Sequence, residues 1–90
     1  MARIVRADYS IQVVEPKNGT DFKLEELQAI VGGYIEIVRL KNGDIMVVNE
    51  EGHLKGLPLN FYATLRYQHD LATSDTIVGD ALLCKSEQVK

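Results

Sequence analysis

The sequence predicts an α+β fold, in which a small antiparallel or mixed sheet and two short helices form a single domain. Short runs rich in β-branched residues predict the strands, and apolar residues three and four positions apart predict the helices. The 90-residue chain has too few strand–helix units for a doubly wound parallel sheet. We expect one domain over residues 1–90, with residues 86–90 as a flexible tail.

The N-terminal part of the chain predicts one strand followed by one helix. The strand lies within residues 4–14, and Pro16 follows its end. A Lys-Asn-Gly-Thr turn at residues 17–20 leads to a helix whose apolar positions are Leu24, Leu27, Ile30 and Val31. Gly32 is suited to end this helix in a left-handed conformation.

A β-hairpin is predicted in the middle of the chain. Its strands lie at residues 34–40 and 45–48. The Asn42-Gly43 pair between them is typical of a type I′ turn, because both residues tolerate positive φ. After the next turn, His53-Leu54 predicts the start of a further short strand.

The C-terminal part predicts a second helix and a last strand. The side chain of Asn60 can accept an amide hydrogen at a helix start. We expect the helix to run through Phe61, Leu65 and Tyr67 and to fray near His69. The last strand is predicted over residues 76–84, with a bulge at Gly79.

The predicted sheet has apolar side chains on both faces. Along residues 34–40, Tyr34 and Val38 fall on one face, and Ile35 and Ile37 fall on the other. Two short helices can hardly cover both faces, and a large exposed apolar patch usually marks an interface. We therefore expect a homo-oligomer, as a dimer or a multiple of dimers.

Composition excludes several classes of function. The chain has 10 Lys and Arg against 13 Asp and Glu, a net charge of −3. Duplex nucleic acid is a poor partner, because binding it requires enough basic residues to neutralise several phosphates. No apolar run is long enough for a membrane span or a signal peptide, so we expect a cytoplasmic protein without a membrane partner. The single cysteine, Cys84, permits neither an intrachain disulfide nor a cysteine-based zinc site.

Catalytic motifs are missing from the sequence. It contains no nucleophile elbow, phosphate loop or dinucleotide fingerprint. The Glu50-Glu51 pair is interpreted as a solvated turn, because neighbours in an extended chain point in opposite directions, with ligand contact through Asn49 or Glu50 as the alternative. No recognised metal-ligand spacing links His53, His69 and Asp70. We predict a protein that is not an enzyme and has no cofactor or metal.

Three segments carry a resemblance to a known family. They are residues 24–36 (LEELQAIVGGYIE), 49–60 (NEEGHLKGLPLN) and 75–80 (DTIVGD). In this order they resemble a family of small proteins from phages, plasmids and other mobile elements of bacteria, known as a domain of unknown function. The resemblance implies an accessory protein that acts by binding, inside a host bacterial cell. Phe61 stands where that family often has a basic residue, which weakens the case for phosphate contact at that position.

Six residues form the predicted ligand site. Gly33 offers backbone amides, Tyr34 a stacking ring and Asn49 polar recognition. An anionic group would meet Lys55, Asn60 and Arg66 near the start of the second helix. Purely structural roles are the alternatives: a helix-to-strand connection for the glycines and a helix cap for Asn60.

The resulting hypothesis is a small-molecule binder. It would sequester a nucleotide-derived immune signal, as a counter-defence sponge, in a pocket at the oligomer interface. The alternative from a different class is a protein-interaction module that inhibits a host protein, with an acidic surface that imitates nucleic acid.

Overall fold

The computed structural model describes residues 2–89, which form five antiparallel strands and two α-helices. In chain order the elements are β1 (Ala2–Val5), β2 (Ile11–Val14), α1 (Leu24–Val31), β3 (Ile35–Arg39), β4 (Asp44–Asn49), α2 (Phe61–Leu71) and β5 (Ala81–Lys85). The strands make one sheet in the order β2-β1-β5-β4-β3. The predicted α+β fold is confirmed, and the sheet is antiparallel.

Each helix covers a different face of the sheet. On one face, Phe22, Leu27 and Val31 in and before α1 pack on Ala2, Ile4, Ile45, Val47, Leu82 and Cys84. On the other face, Ala63 of α2 packs with Val5, Leu40, Met46, Val48, Ile77, Ala81 and Leu83. Apolar side chains therefore extend from both faces of the central strands. Residues 34–40, for which apolar faces on both sides were predicted, form the edge strand β3, where Ile37 is 40% exposed.

The N-terminal segment contains two strands, and the prediction of a single strand was wrong. β1 and β2 pair as an antiparallel hairpin in which Val5 lies opposite Ile11. Between them, Tyr9 has a φ of 75°, and the Asp8 carboxylate accepts a hydrogen bond from the Ser10 amide at 2.9 Å. This side-chain turn reverses the chain without Gly or Pro, the residues that most clearly indicate a turn in a sequence.

Two local predictions are confirmed in their backbone geometry. Gly32 ends α1 with a φ of 80°, and its amide donates to the carbonyl of Gln28 at 2.8 Å. Asn42 and Gly43 both have positive φ, at 64° and 76°, as a type I′ turn requires. Glycine and asparagine adopt this conformation at low cost, so these two turns are specified locally.

Three details of the C-terminal half differ from the predictions. His53-Leu54 lies in a series of turns, and the last strand begins only at Ala81. α2 extends to Leu71, since the side chain of Asp70 is 4% exposed and is held at the last turn by Arg66. Tertiary contacts determine where these elements begin and end, and the local sequence pattern does not reveal those contacts.

The C-terminal segment packs against the rest of the domain as far as Val89. Ser86–Gln88 forms one turn of 3-10 helix, and the Phe22 amide donates to the Gln88 carbonyl at 2.8 Å. Val89 packs against the α1 side of the core. The flexibility of residues 86–90 stays a prediction, and Lys90 lies outside the described residues. Within residues 2–89, neither helix has the length and apolar character to cross a membrane.

Candidate functional site

A groove of about 460 Å³ lies on the α2 side of the sheet, between the β3–β4 pair and residues 74–78. We call it the acidic groove. Its lining residues are Glu36, Val38, Val48, Asn49, Glu50, His53, Tyr67, Ser74, Asp75, Thr76, Ile77 and Val78. The volume falls in the range of small-ligand sites.

Side chains hold residues 74–78 in place as one wall of the acidic groove. The Thr64 hydroxyl accepts from the Ile77 amide at 2.9 Å and donates to the Ile77 carbonyl at 3.1 Å. The Gln68 amide group donates to the carbonyls of Ser74 and Asp75 at 3.3 and 3.1 Å. α2 thus fixes a segment that has almost no strand pairing of its own.

The other wall is connected to the same segment by His53. Its Nε2 lies 3.0 Å from the carbonyl oxygen of Thr76 and joins the turn after β4 to residues 74–78. Gly52 makes this approach possible, because a Cβ there would lie 2.9 Å from Cγ2 of Val78. With a larger residue at position 52, the turn could pack here only if residues 74–78 moved outward.

The acidic groove combines an apolar floor with an anionic rim. Val48 and Ile77 are buried, while the carboxylates of Glu36, Glu50 and Asp75 are exposed. None of the described lining residues is Lys or Arg. This arrangement favours a cationic ligand that carries an aliphatic stem and disfavours a phosphate. Across residues 2–89 no group of three or more His, Cys, Asp or Glu is placed to hold a metal ion.

Three of the six predicted site residues meet at one corner beside the acidic groove. A methyl group at Gly33 would lie 3.0 Å from both Nδ2 of Asn49 and Nζ of Lys55. Asn49 is 6% exposed; it donates to the Val31 carbonyl at 3.1 Å and accepts from the Glu51 amide at 2.8 Å. Its side chain therefore joins the end of α1 to the turn after β4.

This corner differs in detail from the predicted anion site. The Gly33 amide, predicted to face a ligand, donates within the chain to the Gln28 carbonyl at 3.3 Å. Lys55 is 43% exposed and pairs with Glu51 at 3.7 Å. Tyr34 is 66% exposed beside it, and its carbonyl accepts from the Glu50 amide.

Asn60 and Arg66 lie apart from the corner, so the six residues do not form one site. Asn60 is fully buried as the N-cap of α2. Arg66 hydrogen-bonds to the carboxylates of Asp44 and Asp70 at 2.8 and 2.9 Å. Asp44 begins β4 and Asn49 ends it, so they are about 16 Å apart in an extended strand.

Sequence reasoning did not find most of the acidic groove. Glu50 and Asn49 were considered as ligand contacts, whereas Glu36, Tyr67 and Asp75 come from distant segments. The residues at 74–76 carry a loop-like Ser-Asp-Thr, but no local pattern indicates which strands they face. Only the position of α2 over β4 brings them together.

Comparison with known proteins identifies a family without a described activity. The family model "Domain of unknown function (DUF3846)" matches residues 2–89. No curated protein and no solved structure gives a significant match to this chain.

Proposed function

We propose that this chain, which belongs to the DUF3846 family of domains of unknown function, is a non-enzymatic binding protein whose acidic groove receives a basic side chain of a partner protein. The observation that carries the proposal is the lining of the groove. Three exposed carboxylates surround buried Val48 and Ile77, with no Lys or Arg among the described lining residues. A groove whose charged groups all have the same sign concentrates the electrostatic field and attracts a ligand of the opposite charge.

The shape of the groove suits arginine or lysine. Their aliphatic stems can pack on the apolar floor of Val38, Val48 and Ile77 while the charged head stays near water and the carboxylates. Tyr67 adds a half-buried ring at the same floor, against which a guanidinium can stack. These features support recognition without turnover, since binding a long cation requires no nucleophile or proton transfer.

The biological setting is part of the same proposal. The resemblance to small phage, plasmid and mobile-element proteins supports an accessory role in the cytoplasm of a bacterial host. In that role the protein would inhibit a host protein by occupying a basic segment of it. Host proteins that bind nucleic acid carry such segments, and an acidic groove competes for the same basic residues.

Sequestration of a nucleotide-derived immune signal is the second candidate function. The corner of Gly33, Asn49 and Lys55 favours it, because it brings a partly exposed cation beside a polar side chain and an exposed tyrosine ring. The carboxylates of the adjacent acidic groove oppose it, because they repel phosphate groups. Sequestration of a nucleotide-derived signal is therefore less well supported than binding of a basic side chain of a partner protein.

The test is a ¹⁵N-NMR titration with a defined probe. The probe is a capped peptide with two arginines separated by glycines, and the reference peptide has citrulline at both positions. Citrulline keeps the size and planar shape of arginine without the charge, with a carbonyl acceptor in place of one nitrogen donor. The proposal expects shift changes at the groove amides with the arginine peptide only, and a dissociation constant that rises with salt.

A matched pair of variants separates the groove from general charge. The triple variant Glu36→Gln, Glu50→Gln and Asp75→Asn is compared with Glu15→Gln, Glu25→Gln and Glu87→Gln, which remove the same charge outside the groove. We expect the groove variant to weaken binding about tenfold or more and the control to change it by less than about twofold. Equal losses in both variants would refute the proposal. Binding of a cyclic dinucleotide that Lys55→Ala abolishes would instead support the second candidate.

A further inference from the structure

The open edge of the sheet at β2 is exposed, apolar and uncharged. Ile11 and Val13 are 52% and 58% exposed, values that are unusual for β-branched residues within a strand. The five residues from Ser10 to Val14 carry no charge. Natural edge strands commonly have charges, prolines or bulges that prevent pairing with another strand, and β2 has none of these within its length.

The pairing with β1 shows which backbone groups of β2 face outward. The Arg6 amide donates to the Ser10 carbonyl at 2.9 Å, and this pair continues the register in which Ile4 lies opposite Gln12. Bonded pairs alternate in an antiparallel ladder, so Gln12 bonds to β1 and its two neighbours do not. The amides and carbonyls of Ile11 and Val13 therefore point to the open edge.

We propose that two copies of this chain associate through their β2 edges in an antiparallel register centred on Gln12. A two-fold axis at Gln12 places Ile11 of each copy opposite Val13 of the other as bonded pairs. In each copy, the outward amide and carbonyl groups of Ile11 and Val13 then all form hydrogen bonds with the second copy. The two five-stranded sheets become one continuous sheet. The contact is self-complementary, as a two-fold interface must be.

Side chains in this register match on both faces. Ile11 and Val13 lie on the α2 face, because they are opposite Val5 and Arg3 of β1. They meet their β-branched counterparts in the second copy, a favourable cross-strand combination. Gln12 lies on the α1 face and meets Gln12 of the second copy, and its Oε1 accepts a hydrogen bond from Nη2 of Arg6 in its own chain at 2.7 Å.

The apolar surface continues beyond the strand. Tyr9 is 78% exposed, and its ring centre lies 6.5 Å from that of Phe61 at the start of α2. Phe61 and Leu65, one helical turn apart, are themselves 51% and 52% exposed. A second copy at β2 would extend over this exposed surface at the start of α2, which adds apolar contact to the four-residue strand pairing.

The opposite edge of the sheet is less suited to the same contact. In β3, Glu36 and Arg39 are charged and exposed, and Ile37 is 40% exposed. Charged side chains on an edge strand oppose association with another strand. The inferred partner surface is therefore β2.

Disulfide trapping tests the register directly. In Gln12→Cys the two introduced cysteines face each other across a non-bonded pair, at a separation that a disulfide can span. In the control Ile11→Cys, each cysteine lies opposite Val13 and about 8 Å from its counterpart, beyond disulfide reach. Cys84 is buried and does not compete. We expect mild oxidation to crosslink Gln12→Cys at least about tenfold faster than Ile11→Cys.

Light scattering over a concentration series provides the second readout. We expect the mass to rise towards twice the 10.1 kDa of one chain, and Ile11→Lys or Val13→Glu to hold it at one chain. The double variant Ile11→Lys and Val13→Glu restores the dimer, because each lysine then meets a glutamate of the second copy. Ile37→Lys on β3 leaves the dimer intact.

Several results would overturn the inference. They are a single-chain mass at every concentration, equal crosslinking of the two cysteine variants, or dissociation by Ile37→Lys in place of Val13→Glu. Ile11 and Val13 are exposed, so their variants should fold, and unchanged circular dichroism verifies this. Peptide binding at the acidic groove is a separate measurement, so either proposal can fail without the other.

Discussion

Arg66 joins α2 to the first residue of β4 through a 2.8 Å hydrogen bond from Nη2 to Oδ2 of Asp44. Its Nε donates to Asp70 at 2.9 Å, and Asp70 also accepts from the Lys41 amide at 3.0 Å. Lys85 of β5 completes the cluster with a 2.8 Å contact to Asp44. The basic residue predicted for an anionic ligand thus stabilises the end of α2 against the sheet.

This cluster predicts a loss of stability in acid. Hydrogen bonds from Arg66 and Lys85 lower the pKa of Asp44 from 3.8, and hydrogen bonds from His69, the Lys41 amide and Arg66 lower the pKa of Asp70. The unfolded chain therefore takes up protons at higher pH than the folded chain does. We expect the free energy of unfolding to decline as pH falls below about 4, and to continue declining towards the lowered pKa values.

Urea titrations at several pH values measure this dependence. The double variant Asp44→Asn and Asp70→Asn should be less stable at neutral pH and should show a flatter decline in acid. Glu25→Gln, an exposed change on α1, should retain the wild-type decline. An unchanged acid dependence in the double variant would contradict the prediction.

Asn60 should be among the most sensitive positions for stability. It is fully buried, caps α2 by accepting from the Ala63 amide at 3.1 Å, and donates to the Val5 and Gly79 carbonyls at 2.8 and 2.9 Å. Asn60→Ala removes the cap and leaves two buried carbonyls with one partner fewer. We expect a loss of about 2–4 kcal/mol in the free energy of unfolding, measured by urea denaturation at an unchanged m-value.

Asn60→Asp separates the two roles of this residue. Aspartate keeps the capping oxygen but cannot donate to the carbonyls, so it should remain clearly destabilised at neutral pH. Asn18→Ala is the exposed control: it removes hydrogen bonds from the Thr20 and Asp21 amides in a surface turn and should cost only about 1 kcal/mol. Wild-type stability in Asn60→Asp would show that the cap alone matters.

Gly33 and Asn49 should be energetically coupled. The Cβ of Gly33→Ala would lie 3.0 Å from Nδ2 of Asn49, which is held by bonds to Val31 and Glu51. We expect Gly33→Ala to cost about 1–3 kcal/mol by overpacking. In an Asn49→Ala background the same change should cost less than about 0.5 kcal/mol.

A double-mutant cycle measures this coupling. Lys55→Ala is the control background: its flexible Nζ can move away, so removing it should leave most of the Gly33→Ala cost in place. Rescue by Lys55→Ala and not by Asn49→Ala would assign the crowding to the lysine and refute the prediction.

Cys84 should be unreactive in the folded protein. It is 2% exposed in the core, and burial raises the pKa of its thiol to about 11. At pH 8 only about one thiol in a thousand would be ionised even if reagent reached it. We expect labelling by 5,5′-dithiobis(2-nitrobenzoate) to follow unfolding, with full reaction in urea. Rapid labelling without denaturant, at the rate of a Ser10→Cys control on the surface, would contradict this burial.

Features that depend on one or two residues could be predicted well from the sequence. The left-handed Gly32, the Asn42-Gly43 turn and the Asn60 cap follow from conformational and hydrogen-bonding preferences that act over a few bonds. The apolar residues on both faces of residues 34–40 predicted a sheet that is covered on both sides, and this holds for the sheet although residues 35–39 form its edge strand β3. The turn at Tyr9 was not predicted, because no glycine marks it in the sequence. The Asp8 carboxylate stabilises it by accepting a hydrogen bond from the Ser10 amide.

The candidate site could be predicted only in part. Gly33, Asn49 and Lys55 do meet, since the helix end and the turn after β4 are adjacent in the hairpin. The side chains of Arg66 and Asn60 could bind an anion, but they already form hydrogen bonds within the chain, Arg66 to Asp44 and Asn60 with the Ala63 amide. Whether a polar group is free for a ligand depends on distant residues, which a pattern along the chain does not reveal.

The sequence by itself determined the α+β class, the positions of the main turns and the two apolar faces, because these depend on local backbone preference and on the period of side chains along a strand. Only the tertiary structure decided which carboxylates gather in the acidic groove, which cation is already paired and which strand edge stays open. Those properties depend on contacts between residues tens of positions apart, and each contact exists only once the sheet order β2-β1-β5-β4-β3 has formed.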